Sequence, residues 1–192
     1  MDDDPFALLG EPRRPLADEA RLKARYHELT ASLHPDITGE AGDFARINLA
    51  YQTLSDPRAR LRALLELEGA APAARHQAVP EEIATLFPVM SENRRKLDAF
   101  LRKRAAATSA LARAMLLDEA YQLADEGESW LATLEEERNR WLETIATCDT
   151  GWDAGERPLQ PLAEVVQALG YLDKWIAQIR EGVLRLQFAE VG

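Results

Sequence analysis

Leu29 to Glu40 reads LTASLHPDITGE, a His-Pro-Asp tripeptide set between a leucine-spaced stretch and a glycine-containing turn. Pro35 stops the helix that precedes it, because its ring disfavours a helical residue before it and it has no N–H to donate. Upstream, Leu22, Tyr26, Leu29 and Leu33 recur at spacings of four, three and four, which makes one apolar stripe on a helix. Downstream, Phe44, Ile47, Tyr51 and Leu54 recur at three, four and three. Two stripes of matching length predict an antiparallel helical hairpin that displays His34, Pro35 and Asp36 at its tip.

The rest of the chain reads as all-α. Asp4-Pro5 starts a short helix that Gly10 ends, and Asp18-Glu19 suits the N-terminus of the next. Ser55-Asp56-Pro57 caps a helix carrying Leu61, Leu64 and Leu65, which Gly69 closes. The stretch Ala70 to Val79, AAPAARHQAV, is poor in large apolar residues and runs into Pro80, so a boundary falls there. The expected division is an N-terminal domain over 1–69, a linker over 70–80 and a three-helix or four-helix bundle over 81–192. Within the bundle, Ile83, Leu86, Met90, Leu97 and Leu101 mark a helix with Pro88 as a kink or restart. This helix either runs on through Leu111, Met115 and Ala120 to Gly127 or breaks near Thr108-Ser109. Trp130, Leu134, Trp141 and Ile145 mark the next helix, 151–158 a loop, and Leu162 to Leu186 a long last helix.

With 46% hydrophobic and 29% charged residues over 192 positions, the chain can bury one large core or two small ones. A net charge of -10 disfavours bulk binding to nucleic acid or an anionic membrane and points to protein partners. No run of about 18 apolar residues occurs, and Met1-Asp2-Asp3-Asp4 lacks the basic start of a signal peptide, so the cytoplasm is expected. The single cysteine, Cys148, has no internal partner and reads as a helix-end residue.

A His beside a carboxylate invites a catalytic reading, but no sequence-local partners accompany it: there is no G-x-S-x-G, no H-E-x-x-H and no phosphate-cradling glycine loop. A metal site fares no better, since His27 and His34 are seven apart and Pro35 breaks the helix that would align them. The expectation is no catalytic residue, no metal and no cofactor. Helix punctuation alone is the plain alternative. Chance, however, places this tripeptide at a given position only roughly once in ten thousand.

The flanking pattern, Tyr26-x2-Leu29-x4-His34-Pro35-Asp36 and then Phe44-x2-Ile47-Asn48-x-Ala50-Tyr51-x2-Leu54-Ser55-Asp56-Pro57, resembles the J-domain, the module that activates DnaK-type chaperone ATPases. Arg60-x3-Leu64-Leu65-x-Leu67-x-Gly69, Glu92-x-Arg94-x2-Leu97-Asp98 and Leu169-x-Tyr171-Leu172-Asp173-Lys174 are similar to the HscB (Jac-type) iron–sulfur co-chaperones. The resemblance implies a J-domain joined to a C-terminal bundle. His34, Pro35 and Asp36, with Arg21, Lys23 and Arg25 on the preceding helix, would meet a DnaK/HscA-type ATPase. Phe87, Met90, Glu92, Arg95 and Tyr171 would lie on the face that holds an IscU-like scaffold. The chain departs from the family where Ala31, Ser32 and Ile37 occupy positions that are often basic, and where Arg95 and Ala99 replace expected acids. Weaker electrostatic steering is therefore expected. Two other readings stay open: a J-domain adaptor for a different dedicated client, and a helical interaction scaffold with a non-functional tripeptide.

Overall fold

In the computed structural model, which describes residues 4–32, 41–70 and 78–187, every regular element among the described residues is helical. The expected all-α class holds, and the local signals act as read. The Asp4 carboxylate accepts from Phe6 N at 2.9 Å to open α1 (Pro5–Leu9), and Gly10 closes it at φ 65°. Asp18 accepts from Arg21 N at 3.0 Å at the head of α2 (Glu19–Ser32). After α3 (Ala41–Ser55), Asp56 accepts from Ala59 N at 2.6 Å and starts α4 (Pro57–Leu67). Residues 33–40, with the His-Pro-Asp tripeptide, and 71–77, most of the expected linker, lie outside the described residues.

Helices α2 and α3 pack as an antiparallel pair. The Tyr26 and Tyr51 rings stack at 4.3 Å, and Tyr26 donates its hydroxyl proton to Asn48 Oδ1 at 2.5 Å. One turn before Tyr26, Leu22 is buried; one turn after Tyr51, so is Leu54. Each fully buried leucine stabilises by about 1.5–3 kcal/mol, against about 1 kcal/mol net for the hydrogen bond, so the apolar stripe holds the pair and the polar bond sets its register. Phe44, expected in that stripe, is instead 40% exposed.

The described chain groups into two compact units. The first joins Met1–Ala78 to Trp141–Gln167, and the second joins Val79–Arg140 to Ala168–Gly192. In the first unit, polar contacts pin the segment 13–16. Arg60, buried in α4, donates from Nε to Pro15 O at 2.8 Å and from Nη1 to Leu54 O at 2.6 Å. Asp149, also buried, accepts from Leu16 N at 3.1 Å and from the Arg14 guanidinium, whose Nε lies 3.1 Å from Oδ1. Trp152 Nε1 donates to Arg13 O at 2.7 Å.

The second unit draws on α5 (Glu81–Ala84), α6 (Phe87–Ala106), α7 (Ala110–Ala114), and parts of α8 (Leu117–Asp149) and α9 (Leu159–Gln187). Pro88 lies in the first turn of α6, which makes it a restart. Beyond Leu101 the helix breaks near Thr108-Ser109 rather than running on: α6 ends at Ala106, and Ser109 Oγ accepts from Ala112 N at 3.1 Å to open α7. Gly127 does not end a helix as the sequence pattern suggested, because α8 runs through it. Its role is close approach: a Cβ there would lie 2.6 Å from Val183 Cγ2 on α9. Phe100, Leu116, Ala120, Ala124 and Leu186 form a buried cluster of this unit.

Two glycine substitutions test this packing. A Cβ at Gly182 would also crowd a neighbour, Leu97 Cδ2 at 2.7 Å, but that atom ends a rotatable side chain, whereas Val183 is stiff at χ1. Overpacking costs about 1–3 kcal/mol and the glycine-to-alanine gain in helix propensity is about 1 kcal/mol. Gly127→Ala is therefore expected to lower stability by about 1 kcal/mol, and Gly182→Ala to be nearly neutral, as read from urea unfolding midpoints.

Candidate functional site

Two surfaces collect the residues singled out by sequence. On α2, Arg21, Lys23 and Arg25 precede the tripeptide, and two of the three are committed within the fold. Arg21 Nε lies 3.3 Å from Glu11 Oε1, and Arg25 donates from Nε to Leu9 O at 3.3 Å and from Nη1 to Glu28 Oε2 at 2.7 Å. These cations sit at the last carbonyls of α1, where positive charge is favoured. Lys23 is exposed and makes no hydrogen bond or ion pair with another described residue. His34, Pro35 and Asp36 fall in the undescribed segment between α2 and α3, so their geometry is not part of this surface as described.

The second surface lies where α6 begins beside α9. Phe87, 37% exposed, meets Tyr171 with ring centroids 5.0 Å apart and Trp175 at 5.1 Å, both edge-on. Edge-to-face pairs of this kind add about 0.5–1.5 kcal/mol beyond their area. Sequence reasoning named Phe87 and Tyr171 but missed Trp175, whose signal was its place one helical turn after Tyr171. Met90 is only 7% exposed and lines a cavity of about 300 Å³ with Leu97, Leu123 and Ile179, so it faces the bundle interior. Glu92 and Arg95 form a bidentate pair on the outer face of α6, with Arg95 Nε and Nη2 at 2.9 and 2.7 Å. The hydrogen bond from Arg95 holds the Glu92 carboxyl below its usual range and raises the guanidinium in return.

Among the described residues no group of three or more His, Cys, Asp or Glu side chains is placed to hold a metal ion. Cys148 is buried, and burial pushes its thiol up, so the nucleophilic thiolate is disfavoured. No helix among the described residues is long and apolar enough to cross a membrane.

Residues 4–62 match the DnaJ domain family. The chain is 31% identical to a co-chaperone protein HscB homolog of Burkholderia mallei, over 97% of this chain and 98% of the relative. A further HscB homolog, from Aromatoleum aromaticum, is 37% identical over 78 residues, which are 36% of this chain and 44% of the relative. Among solved structures, chaperone HscB from Vibrio cholerae shares the fold with a TM-score of 0.52 and 19% identity, covering 92% of this chain and 95% of that one.

The aromatic group makes an ordered prediction. Phe87→Ala, at the exposed edge, is expected to cost about 1 kcal/mol, and Trp175→Ala, at the buried base, about 3–5 kcal/mol, both measured by urea unfolding. Cys148 is expected to react with a thiol reagent at pH 8 far more slowly in the native protein than in urea, since its raised pKa leaves less thiolate in the folded state.

Proposed function

This chain belongs to the HscB family of co-chaperones, and from that membership we propose that it stimulates the ATPase of a DnaK/HscA-type chaperone through His34, Pro35 and Asp36 and delivers an IscU-like iron–sulfur scaffold to it. The observation that carries the reading is the extent of the match: similarity runs over 97% of this chain and 98% of the relative, so both the J-domain and the bundle have counterparts. A His-Pro-Asp turn offers a donor, a fixed backbone and an acceptor, which suits a polar contact with a partner. The protein supplies that contact and cleaves no bond itself; the hydrolysed phosphoanhydride is the chaperone's ATP. It acts in the cytoplasm with protein partners, and neither nucleic acid nor a membrane takes part.

The chaperone-facing charge of Arg21, Lys23 and Arg25 is divided by the fold. Since Arg21 and Arg25 also brace α1, Lys23 is the cation whose loss reports on the partner alone. For the scaffold, Phe87 and Tyr171 offer an aromatic edge, Trp175 and Met90 support it from below, and Glu92 and Arg95 flank it. One feature favours a second reading, a J-domain adaptor for a different client: the Glu92 carboxylate is already engaged by Arg95, so a client that needs a free acid there finds it occupied.

With the full-length protein and its cognate chaperone, His34→Gln is expected to abolish ATPase stimulation while leaving helicity and thermal midpoint unchanged. Equal stimulation by wild type and variant would remove the tripeptide from the mechanism. Lys23→Glu is expected to weaken stimulation and flatten its dependence on salt, because an exposed charge contact is screened within about 10 Å at 0.1 M salt. Phe87→Ala with Tyr171→Ala is expected to weaken co-elution of an iron–sulfur scaffold about tenfold or more. If wild type retains no such scaffold while a different protein co-purifies and is lost with the double variant, the adaptor reading replaces this one.

A further inference from the structure

Seven of the chain's 23 Lys and Arg fall between Arg94 and Arg113, against a single carboxylate, Asp98. Part of this run is neutralised: Arg95 pairs with Glu92 at 2.7 Å, Arg94 with Asp98 at 3.8 Å, Lys96 with Glu126 at 2.7 Å, and Lys103 with Glu119. From Ala99 to Glu119 the sequence holds four cations, Arg102, Lys103, Arg104 and Arg113, against two acids, Asp118 and Glu119, in a chain whose net charge is -10. This stretch makes the turn from α6 through α7 to α8.

On the same turn stand Leu111 and Met115, 73% and 76% exposed, the two most exposed large apolar side chains among the described residues. Four residues apart across α7 and its C-cap, they lie on one side. The turn that carries them is anchored from within. Leu116 is buried beside Phe100, Ala107 packs against that cluster, and Arg113 Nε donates to Ala107 O at 3.2 Å. An apolar pair is thus held outward on a firm base, in a stretch of sequence where cations outnumber acids.

We propose that the α6–α8 turn is a docking surface for an acidic protein segment that carries one or two large apolar side chains. Charge complementarity selects the partner: from Ala99 to Glu119 the cations outnumber the acids, so the turn is locally basic in an otherwise acidic chain. An anionic bilayer presents its charge as an extended sheet and so meets the repulsion of the whole acidic molecule. Met115 supplies an unbranched, polarisable side chain that adapts to different apolar anchors. The surface shares no residue with the tripeptide or with the aromatic edge at Phe87.

A random dodecapeptide display library is selected on the immobilised full-length protein and counter-screened on the triple variant Arg102→Glu, Leu111→Ser, Met115→Ser. All three sites are exposed, and circular dichroism checks the variant's fold; the single variant Met115→Ser provides a second reading. The expected winners are acidic peptides with Leu, Phe or Met anchors, binding the triple variant about tenfold or more weakly and losing affinity as salt rises. Neutral or basic winners, or winners that bind wild type and variant alike, overturn the proposal. So does sedimentation of wild type but not variant with phosphatidylglycerol vesicles in the absence of acidic winners, or a self-association of wild type that the variant abolishes.

Discussion

A guanidinium has no neutral form to adopt when it leaves water, so burying Arg60 obliges the chain to bring acceptors to it. Burial lowers its pKa, with Asp56, Glu19 and Asp149 opposing that shift, and the charge is retained. The acceptors it receives are two backbone carbonyls, of Pro15 and Leu54, and these tie the segment before α2 to the end of α3. Asp149 is the mirror case, a buried carboxylate supplied with the Leu16 amide and the Arg14 guanidinium. The hydrogen bond to Asp149 is also the chief cause that raises Arg14 above its ordinary value. Such groups add little net stability when satisfied, yet leaving one unpartnered costs about 3–5 kcal/mol. They specify which arrangement the unit adopts, while buried leucines such as Leu61 and Leu64 supply the driving force.

This division explains what was legible in the sequence. Helix ends are local events, and Asp4, Asp18, Asp56 and Gly10 act within three residues of where they stand. Apolar spacing likewise announced the α2–α3 pair through Leu22, Tyr26, Tyr51 and Leu54. The Arg14–Asp149 bond joins positions 135 apart, and nothing local to either residue signals the other. Gly127 misled for a related reason: glycine reads as a helix stop when its neighbours in sequence are considered, but here it answers to Val183 on another helix. Trp175 escaped because its burial and its contact with Phe87 arise only once α6 and α9 lie together.

The candidate surfaces obey the same logic. The tripeptide was conspicuous as residue types in a row, and the family comparison supplies its context. That Arg21 and Arg25 would be engaged in holding α1 was not readable, since Glu11 and the carbonyl of Leu9 reach them only through the fold.

The first compact unit is discontinuous, made of Met1–Ala78 and of Trp141–Gln167 with a long stretch of chain between them. On a ribosome, the pieces of such a unit emerge at different times. At about 5–20 residues per second, Arg14, Arg60 and the amide of Leu16 wait on the order of 5–20 s before Asp149 and the rest of the second piece are made. During that interval the N-terminal helices can draw on their local caps and on the Tyr26–Tyr51 stack, but not on the carboxylate that completes their polar network. The first unit is therefore complete only after Trp141–Gln167 has been synthesised, so chain growth itself sets when its polar network can close.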